Sequence, residues 1–340
     1  MDHPTSSMPT SLNQTDEGFL EEPKKYSDFV RVAALTVGIP IIIFGFLGNL
    51  MTIIAVIKTK ALRTGANIFI ISLSVFDLMY VTIVIPVNLQ VTWNNHWDFS
   101  DAFCKTYPVI VILTIGGNLM SLAGTAFNRY LKIIHPQVFI LLFGRRLNTA
   151  ILVSSFLSVP VLILIPPISG VWGEIGYDPD KLSCDVIPDN SGYDTFLMLC
   201  CFIVPIIIIL FCYIRILCKV CANRKKIQAA RNGDANQPAA MREDLRYTKM
   251  MVSIFAAFVM AYTPYFIYHM VDPFARHEIG RFLTRVCYWL GSCINPVLYG
   301  LLNRNFRQAF LKIYKDVKEL TTAVTSVNDV TSHQESTSND

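Results

Sequence analysis

The sequence predicts an all-α membrane protein: a seven-transmembrane helix bundle followed by a short amphipathic eighth helix. Three observations carry that prediction. Seven apolar stretches are each long enough, at roughly 20 helical residues, to cross about 30 Å of hydrocarbon. Of the 340 residues, 53% are hydrophobic and 16% are charged, against about 25% charged in an ordinary soluble domain. With a mean hydropathy of +0.44, the chain needs lipid as a solvent for its surface. Lastly, Lys and Arg gather on alternate connections.

The apolar stretches cover residues 32–57, 67–89, 103–134, 147–168, 195–220, 247–271 and 282–302. Each is too long for a strand of a membrane barrel, which needs only about ten alternating residues. Several carry proline, at Pro40, Pro86, Pro108, Pro160, Pro166, Pro205, Pro264 and Pro296; membrane helices tolerate these because neighbours and water re-satisfy the freed carbonyls. The first stretch follows an acidic tail, with neither a basic leader nor a small-residue cleavage site, and reads as a true span. No internal repeat is visible, and an odd number of spans gives no sign of inverted transporter halves.

The domain organisation follows. Residues 1–31 form an extracellular N-terminal tail, 32–302 the seven-transmembrane domain, 303–315 an amphipathic helix and 316–340 a disordered cytoplasmic tail. Counting residues at the span borders, the connections after spans one, three and five and the final tail hold 21 of the 29 Lys and Arg. The positive-inside rule therefore puts the N-terminus outside and the C-terminus inside. Asn13-Gln14-Thr15 is a glycosylation sequon in the outer tail.

The same composition excludes other classes. A net charge of +4 offers nucleic acid no electrostatic footprint. Nine Cys in 340 residues do not make a disulfide framework, and no Cys or His set has zinc spacing. No hydrolase triad or phosphate-binding loop is present, so the chain is not read as an enzyme.

Polar groups inside spans are costly, roughly 2.5–3.5 kcal/mol for a charge at mid-membrane on insertion scales, and each calls for a reason. Asp77 lies mid-span, with Asn49 in the first span, Asn118 in the third, and Ser292 and Asn295 in the seventh. Two readings stand: unrelated helix–helix hydrogen bonds, or one internal cluster that holds water or a hard cation such as Na+. Arg129 closes the third span as part of Asn128-Arg129-Tyr130. A lone Arg there is a snorkelling anchor, but its setting suggests more.

In that setting the chain resembles rhodopsin-like (class A) G-protein-coupled receptors, over about residues 32–315. The matching pieces are Gly48-Asn49, Leu73 with Asp77-Leu78, Cys104 opening the third span, Asn128-Arg129-Tyr130 closing it, then Ile133 and Pro136. Pro205 and Tyr213 mark span five, and Phe258 and Pro264 span six. Asn295-Pro296-Val297-Leu298-Tyr299 marks span seven, and Phe306 follows. One such motif is weak; the whole set in order is specific. Within the family the chain is most similar to the melatonin-receptor, Moody and Trapped-in-endoderm group. The support is Asn-Arg-Tyr in place of Asp-Arg-Tyr, Leu62-Arg63-Thr64, and Trp172-Gly173 with Gly176-Tyr177-Asp178-Pro179 before Cys184.

The resemblance implies roles. Cys104 and Cys184 would form an outer disulfide tethering the second outer loop. Arg129 would be the signalling residue, held at rest by acids and swinging toward Tyr213 and a heterotrimeric G protein on activation. Its usual within-helix carboxylate is replaced by Asn128, leaving Asp244 as a cross-helix acid, so some basal activity is expected. Pro205, Leu119 and Phe258 match a packing switch, Pro264 a hinge, and Tyr262 takes the place of the usual Trp toggle. Asp77, Asn118, Ser292 and Asn295 would form an allosteric Na+ site.

The ligand pocket implied by family positions comprises Val111, Ile112, Ile115, Asp194, Leu197, Tyr265, Phe266, His269, Arg285 and Trp289. Amine receptors keep an Asp at the position of Val111, so an amine ligand is disfavoured; a lipid, peptide or other small molecule remains. Trp289 at the retinal-attachment position argues against an opsin. Arg285 and His269 either receive an anion or, for Arg285, pair with Asp272 or Glu278 or face water. The Ser/Thr-rich tail, from Thr321 and Thr322 to Ser338, would recruit a receptor kinase and arrestin, and the basic third inner loop would touch membrane lipid. The subgroup implies Gi/o coupling at the plasma membrane. The rival reading is a seven-span transporter or channel, which would place charges in several spans; only Asp77 is a clear mid-membrane charge.

Overall fold

The structure is a computed structural model and describes residues 26–144, 149–150, 153–154, 158, 161–162, 165–166, 168–172, 174–178, 182–187, 192–193, 196, 199–229, 239–271 and 277–337. Helix α1 (Asp28–Lys58) begins with Asp28 and ends with Lys58, matching the helix dipole at both ends. Its inward face reads Val30, Ala34, Gly38, Ile41, Gly45, Asn49 and Thr52, at helical spacing. The opposite face carries Phe44, 72% exposed, with Ile43 and Leu47. Apolar residues turned outward and small ones inward are the pattern of a helix solvated by lipid. A Cβ on Gly45 would meet Cys293 and Val81 at 2.8 Å, so glycine there lets three helices converge.

Helix α2 (Gly65–Met79) passes through a π turn (Tyr80–Val84) into α3 (Ile85–Asn94). The wide turn sits directly ahead of Pro86, which has no amide to give to the turn before it. Thr82 Oγ1 donates to the Leu78 carbonyl at 2.7 Å inside it. Helix α4 (Asp101–Ile134) starts at Ser100, whose Oγ accepts from the Phe103 amide at 3.3 Å. It is the central column, buried almost continuously from Gly116 to Ala126. Gly117 and Gly124 let it approach α2: a Cβ at either would fall within 2.5 Å of the rings of Phe76 and Phe69 respectively.

A short α5 (Pro136–Phe143) follows. Each described residue between 149 and 169 is helical, along the fourth expected span. An antiparallel hairpin, β1 (Glu174–Asp178) and β2 (Ser183–Ile187), pairs Tyr177 with Cys184. This hairpin is not anticipated by the sequence reading. A second π turn (Leu199–Ile203), again just ahead of a proline, Pro205, leads into α6 (Val204–Ala229). Helices α7 (Ala239–Val271) and α8 (Glu278–Leu302) carry Pro264 and Pro296. The main packing pairs are α7 with α8, α2 with α4, α1 with α8 and α4 with α6. Among the described residues, Asp28–Lys58, Asn67–Asn94, Asp101–Ile134 and Leu199–Val220 are long and apolar enough to cross a membrane.

Helix α9 spans Arg304–Thr337. It seats Phe306, fully buried, and Ala309 against the bundle. The helix runs on past 315 as far as Thr337. No Gly or Pro lies between 304 and 337 to end it. Residues 1–25 of the outer tail, with the sequon at Asn13, lie outside the described residues, as does Ser338, while residues 28–31, expected in that tail, are the first turn of α1.

Candidate functional site

The mid-membrane polar residues form one connected cluster. Asp77 is completely buried on α2. Its Oδ1 accepts from Asn118 Nδ2 on α4 and its Oδ2 from Asn295 Nδ2 on α8, both at 2.8 Å. Asn49 Nδ2 on α1 donates to the Ser292 carbonyl at 2.8 Å and the Gly45 carbonyl at 2.9 Å. Ser292 Oγ donates to the Trp289 carbonyl at 2.8 Å. Four helices are thus joined through one carboxylate and three amides.

Three buried oxygens in this region, Asn118 Oδ1, Asn49 Oδ1 and Ser74 Oγ, have no hydrogen-bond partner. Buried oxygen without a partner points to water or an ion. Among the described residues, no three His, Cys, Asp or Glu gather as a metal cluster. One carboxylate with neutral oxygens fits a hard monovalent cation rather than a transition metal. The arrangement, with buried Asp77 hydrogen-bonded to Asn118 and Asn295, is consistent with a class A sodium site. Directly beside it, Tyr262 interacts with both Asp77 and Asn118. Its ring stacks on Phe258 at 4.0 Å and meets Tyr288 edge-on at 4.3 Å.

Toward the outer side, a cavity of about 220 Å³ is lined by Val111, Ile112, Ile115, Tyr265 and Arg285, among others. Trp289 is not among the lining residues: it is completely buried in the packing of α8. Phe266 and His269 lie on α7, with side chains outside the description, and Asp194 and Leu197 lie outside the described residues. The sequence list misses Tyr80, Tyr107, Arg281, Tyr288 and Asp185, all of which line the cavity. Helical spacing holds the missing signal: Tyr107 is one turn before Val111, and Arg281 and Tyr288 lie one turn to either side of Arg285. Asp185 arrives on β2, which the Cys104–Cys184 disulfide holds against α4 with a Cα separation of 5.3 Å.

At the inner end, Asn128 and Arg129 are buried on α4. Asn128 leaves its Nδ2 without a hydrogen bond. The Tyr130 hydroxyl bonds His135 Nε2 at 3.1 Å, and the Tyr130 ring lies 5.6 Å from Phe211 on α6. Tyr213, buried on α6, faces Phe255 on α7 at 6.4 Å. Asp244 falls on α7, with its side chain outside the description. Arg246 Nε donates to the Leu302 carbonyl at 3.2 Å, tying α7 to the end of α8. Next to Pro296, Tyr299 is buried and stacks on Phe306 of α9 at 5.0 Å.

These features sit in a recognised framework. A family profile described as "7 transmembrane receptor (rhodopsin family)" matches residues 48–299, and the chain belongs to that family. It is a multi-pass membrane receptor of the G-protein-coupled class, a non-enzymatic family. Among curated proteins it is 30% identical to "Protein trapped in endoderm-1" of Drosophila melanogaster, over 92% of this chain and 86% of that one. It is also 30% identical to "Melatonin receptor type 1A" of Mus musculus, over 80% and 77%. "G-protein coupled receptor moody" of Drosophila pseudoobscura pseudoobscura is 25% identical over 91% and 55%. Among solved structures, squid rhodopsin superposes with a TM-score of 0.72 at 24% identity, covering 85% of this chain and 82% of that one; that likeness speaks to the fold.

Proposed function

We propose that this receptor binds a non-amine extracellular ligand in the outer cavity and promotes nucleotide exchange on a Gi/o-type heterotrimeric G protein. It works at the plasma membrane, with the N-terminus outside and some basal activity. The observation that carries this reading is the cavity wall on α4: Val111, Ile112 and Ile115 line it and supply no carboxylate to an ammonium. Directly below lies the Asp77 cluster, which joins α1, α2, α4 and α8. A ligand that prefers one arrangement of those helices shifts the population toward it.

Arg129 and Tyr213 carry the signal inward, Pro264 gives α7 its hinge, and Tyr262 and Phe258 couple the hinge to the cluster. Asn295, Pro296 and Tyr299 link the cluster to α9. Asp244 restrains Arg129 at rest, and Asn128 in place of an acid weakens that restraint. Na+ bound by Asp77, Asn118, Ser292 and Asn295 supplies a positive charge that balances the carboxylate. Asn13 carries a glycan, and the phosphorylated tail recruits arrestin after a receptor kinase has acted on it. Similarity to receptors named for melatonin supports the Gi/o assignment.

The test is guanine-nucleotide exchange on a panel of purified G proteins. The receptor is placed in lipid vesicles without ligand, with Arg129→Ala as control. Exchange on Gi/o that the variant loses supports the reading; exchange on another G protein alone overturns the coupling. Exchange equal in both proteins overturns the role of Arg129.

A further inference from the structure

The outer cavity is lined by a guanidinium that makes no ion pair among the described residues. Arg285 lines the cavity from α8 and is enclosed by Tyr26, Tyr80, Tyr107 and Tyr265, its closest electrostatic neighbours. Its guanidinium carbon stands 6.0 Å from the Tyr26 ring centroid. Among the described residues it makes no hydrogen bond and no ion pair. A guanidinium half-screened from water by aromatic walls, with no counter-ion among the described residues, is available to pair with an incoming oxyanion.

A second guanidinium stands nearby. Arg281, one turn earlier, lines the same cavity and lies 4.1 Å over the Tyr26 ring. Its carboxylate neighbour Glu278 stands at the rim, where Oε2 accepts from the Ser27 amide at 2.7 Å. The described carboxylate in the wall is Asp185, whose Oδ1 accepts from the Val186 amide at 2.8 Å. Both guanidiniums reach the cavity wall, with Asp185 as the carboxylate among its described lining residues. The remaining surface is aromatic and aliphatic, with Tyr80, Tyr107, Tyr265 and Tyr288 around Val111 and Ile115. Tyr288 lies 5.2 Å from Tyr80 and 5.3 Å from Tyr265, so the rings form a connected aromatic wall.

We propose that the cavity takes a small anion with an aromatic or apolar body, a carboxylate or phosphate monoester whose charged end pairs with Arg285 while its body lies among the tyrosines. The planar guanidinium matches either oxyanion in two-point geometry. Like-charge repulsion from Arg281 and Arg285 turns an amine away. A volume of about 220 Å³ lies below the usual drug-sized range and favours a compact body. This assignment rests on the receptor reading above and adds the ligand's chemistry to it.

A charge series on one frame tests it. The purified full chain in neutral detergent is titrated by thermal unfolding with 3-phenylpropionate, 2-phenylethyl phosphate, 3-phenylpropanol and 3-phenylpropylamine. At least one of the two anions is expected to bind about tenfold more tightly than the alcohol, the effect of a charge-assisted hydrogen bond, and the amine to bind more weakly still. Arg285→Gln should abolish the anion's advantage and Arg285→Lys should keep part of it. If Arg285→Gln does not fold, the wild-type series and the Lys variant still decide. Equal binding of anions and alcohol, preference for the amine, no stabilisation by any probe, or an anion advantage that survives in Arg285→Gln overturns the proposal.

Repeating the titration in phosphatidylcholine nanodiscs with and without phosphatidate separates two sources of the same chemistry. Competition by phosphatidate supports a lipid headgroup in the site; an undiminished anion response supports a free ligand. Ligand-free exchange by the wild type is measured alongside. Exchange present without anion preference overturns only the ligand chemistry, whereas exchange absent on every G protein counts against the receptor reading itself.

Discussion

Asn295 on α8 donates its side-chain amide to Asp77 on α2 at 2.8 Å, across 218 positions of sequence. That bond and its counterpart from Asn118 hold a carboxylate in the bundle that has no ion pair among the described residues. Na+ that binds the folded state stabilises it by mass action. Exchanging K+ for Na+ at constant ionic strength should therefore raise the unfolding midpoint of the wild type by about 2 °C, the size expected for about 1 kcal/mol in a protein of this length. Asp77→Asn should remove the difference, as read by thermal unfolding in the two salts. A variant that still responds to Na+ would sink the assignment.

The buried Asn128 offers Arg129 no charge from its own helix. Asn128→Asp supplies one and should lower ligand-free nucleotide exchange roughly fivefold, the effect of about 1 kcal/mol. Exchange measured at equal receptor density decides the matter; an unchanged rate means that within-helix restraint is irrelevant here.

Tyr262 and Gly291 fit as a pair. A Cβ at Gly291 would approach Tyr262 Cε2 to 2.7 Å, and the Tyr262 ring is already packed on Phe258 and Tyr288. Restoring the family's larger aromatic by Tyr262→Trp should therefore destabilise the receptor by about 1–3 kcal/mol through overpacking. Thermal unfolding in detergent reports it, and an unchanged midpoint would mean the site has room that the packing denies.

Cys104 and Cys184 close a loop of 80 positions. Cys104→Ala should cost about 2–4 kcal/mol, in line with the restraint a disulfide places on an unfolded chain. It should also weaken binding of any probe to the outer cavity, because β2 carries Cys184 and Asp185 into its wall. A reducing agent applied to the wild type should reproduce both effects. If probe binding is unaffected, the hairpin is held by packing alone.

Much of this was legible in the chain, and the reasons are physical. Span positions follow from the apolar demand of lipid, which is strong over 20 residues and insensitive to detail. Asp77, Asn118 and Asn295 stood out because polar side chains in such a setting need partners, and their convergence is the structural outcome. Other features leave a weaker trace. The β1–β2 hairpin has five-residue strands whose outward residues vary in burial, too short for a period to emerge. Trp289 reads as cavity-facing by family position, yet the packing of α8 buries it completely. Tyr80 and Tyr107 look like ordinary apolar filler until the helices bring their rings around Arg285. The continuation of α9 to Thr337 has no stop signal to oppose it, whereas composition alone suggests a solvated tail.

The π turn at Tyr80–Val84 has a consequence for aim. One surplus residue in a helical turn rotates everything after it by about 100° relative to an uninterrupted helix. Asp77 precedes that turn and Asn88 follows it. Eleven positions apart, an unbroken helix would stack them on nearly the same meridian. Asp77 meets Asn118 and Asn295, while Asn88 Oδ1 accepts from the Tyr107 hydroxyl at 3.2 Å and lines the outer cavity; both residues still reach α4. The surplus residue thus turns the span between its two polar contacts without breaking its seam with α4, and it sets Tyr80 and Val84, within the turn itself, into the wall of the outer cavity.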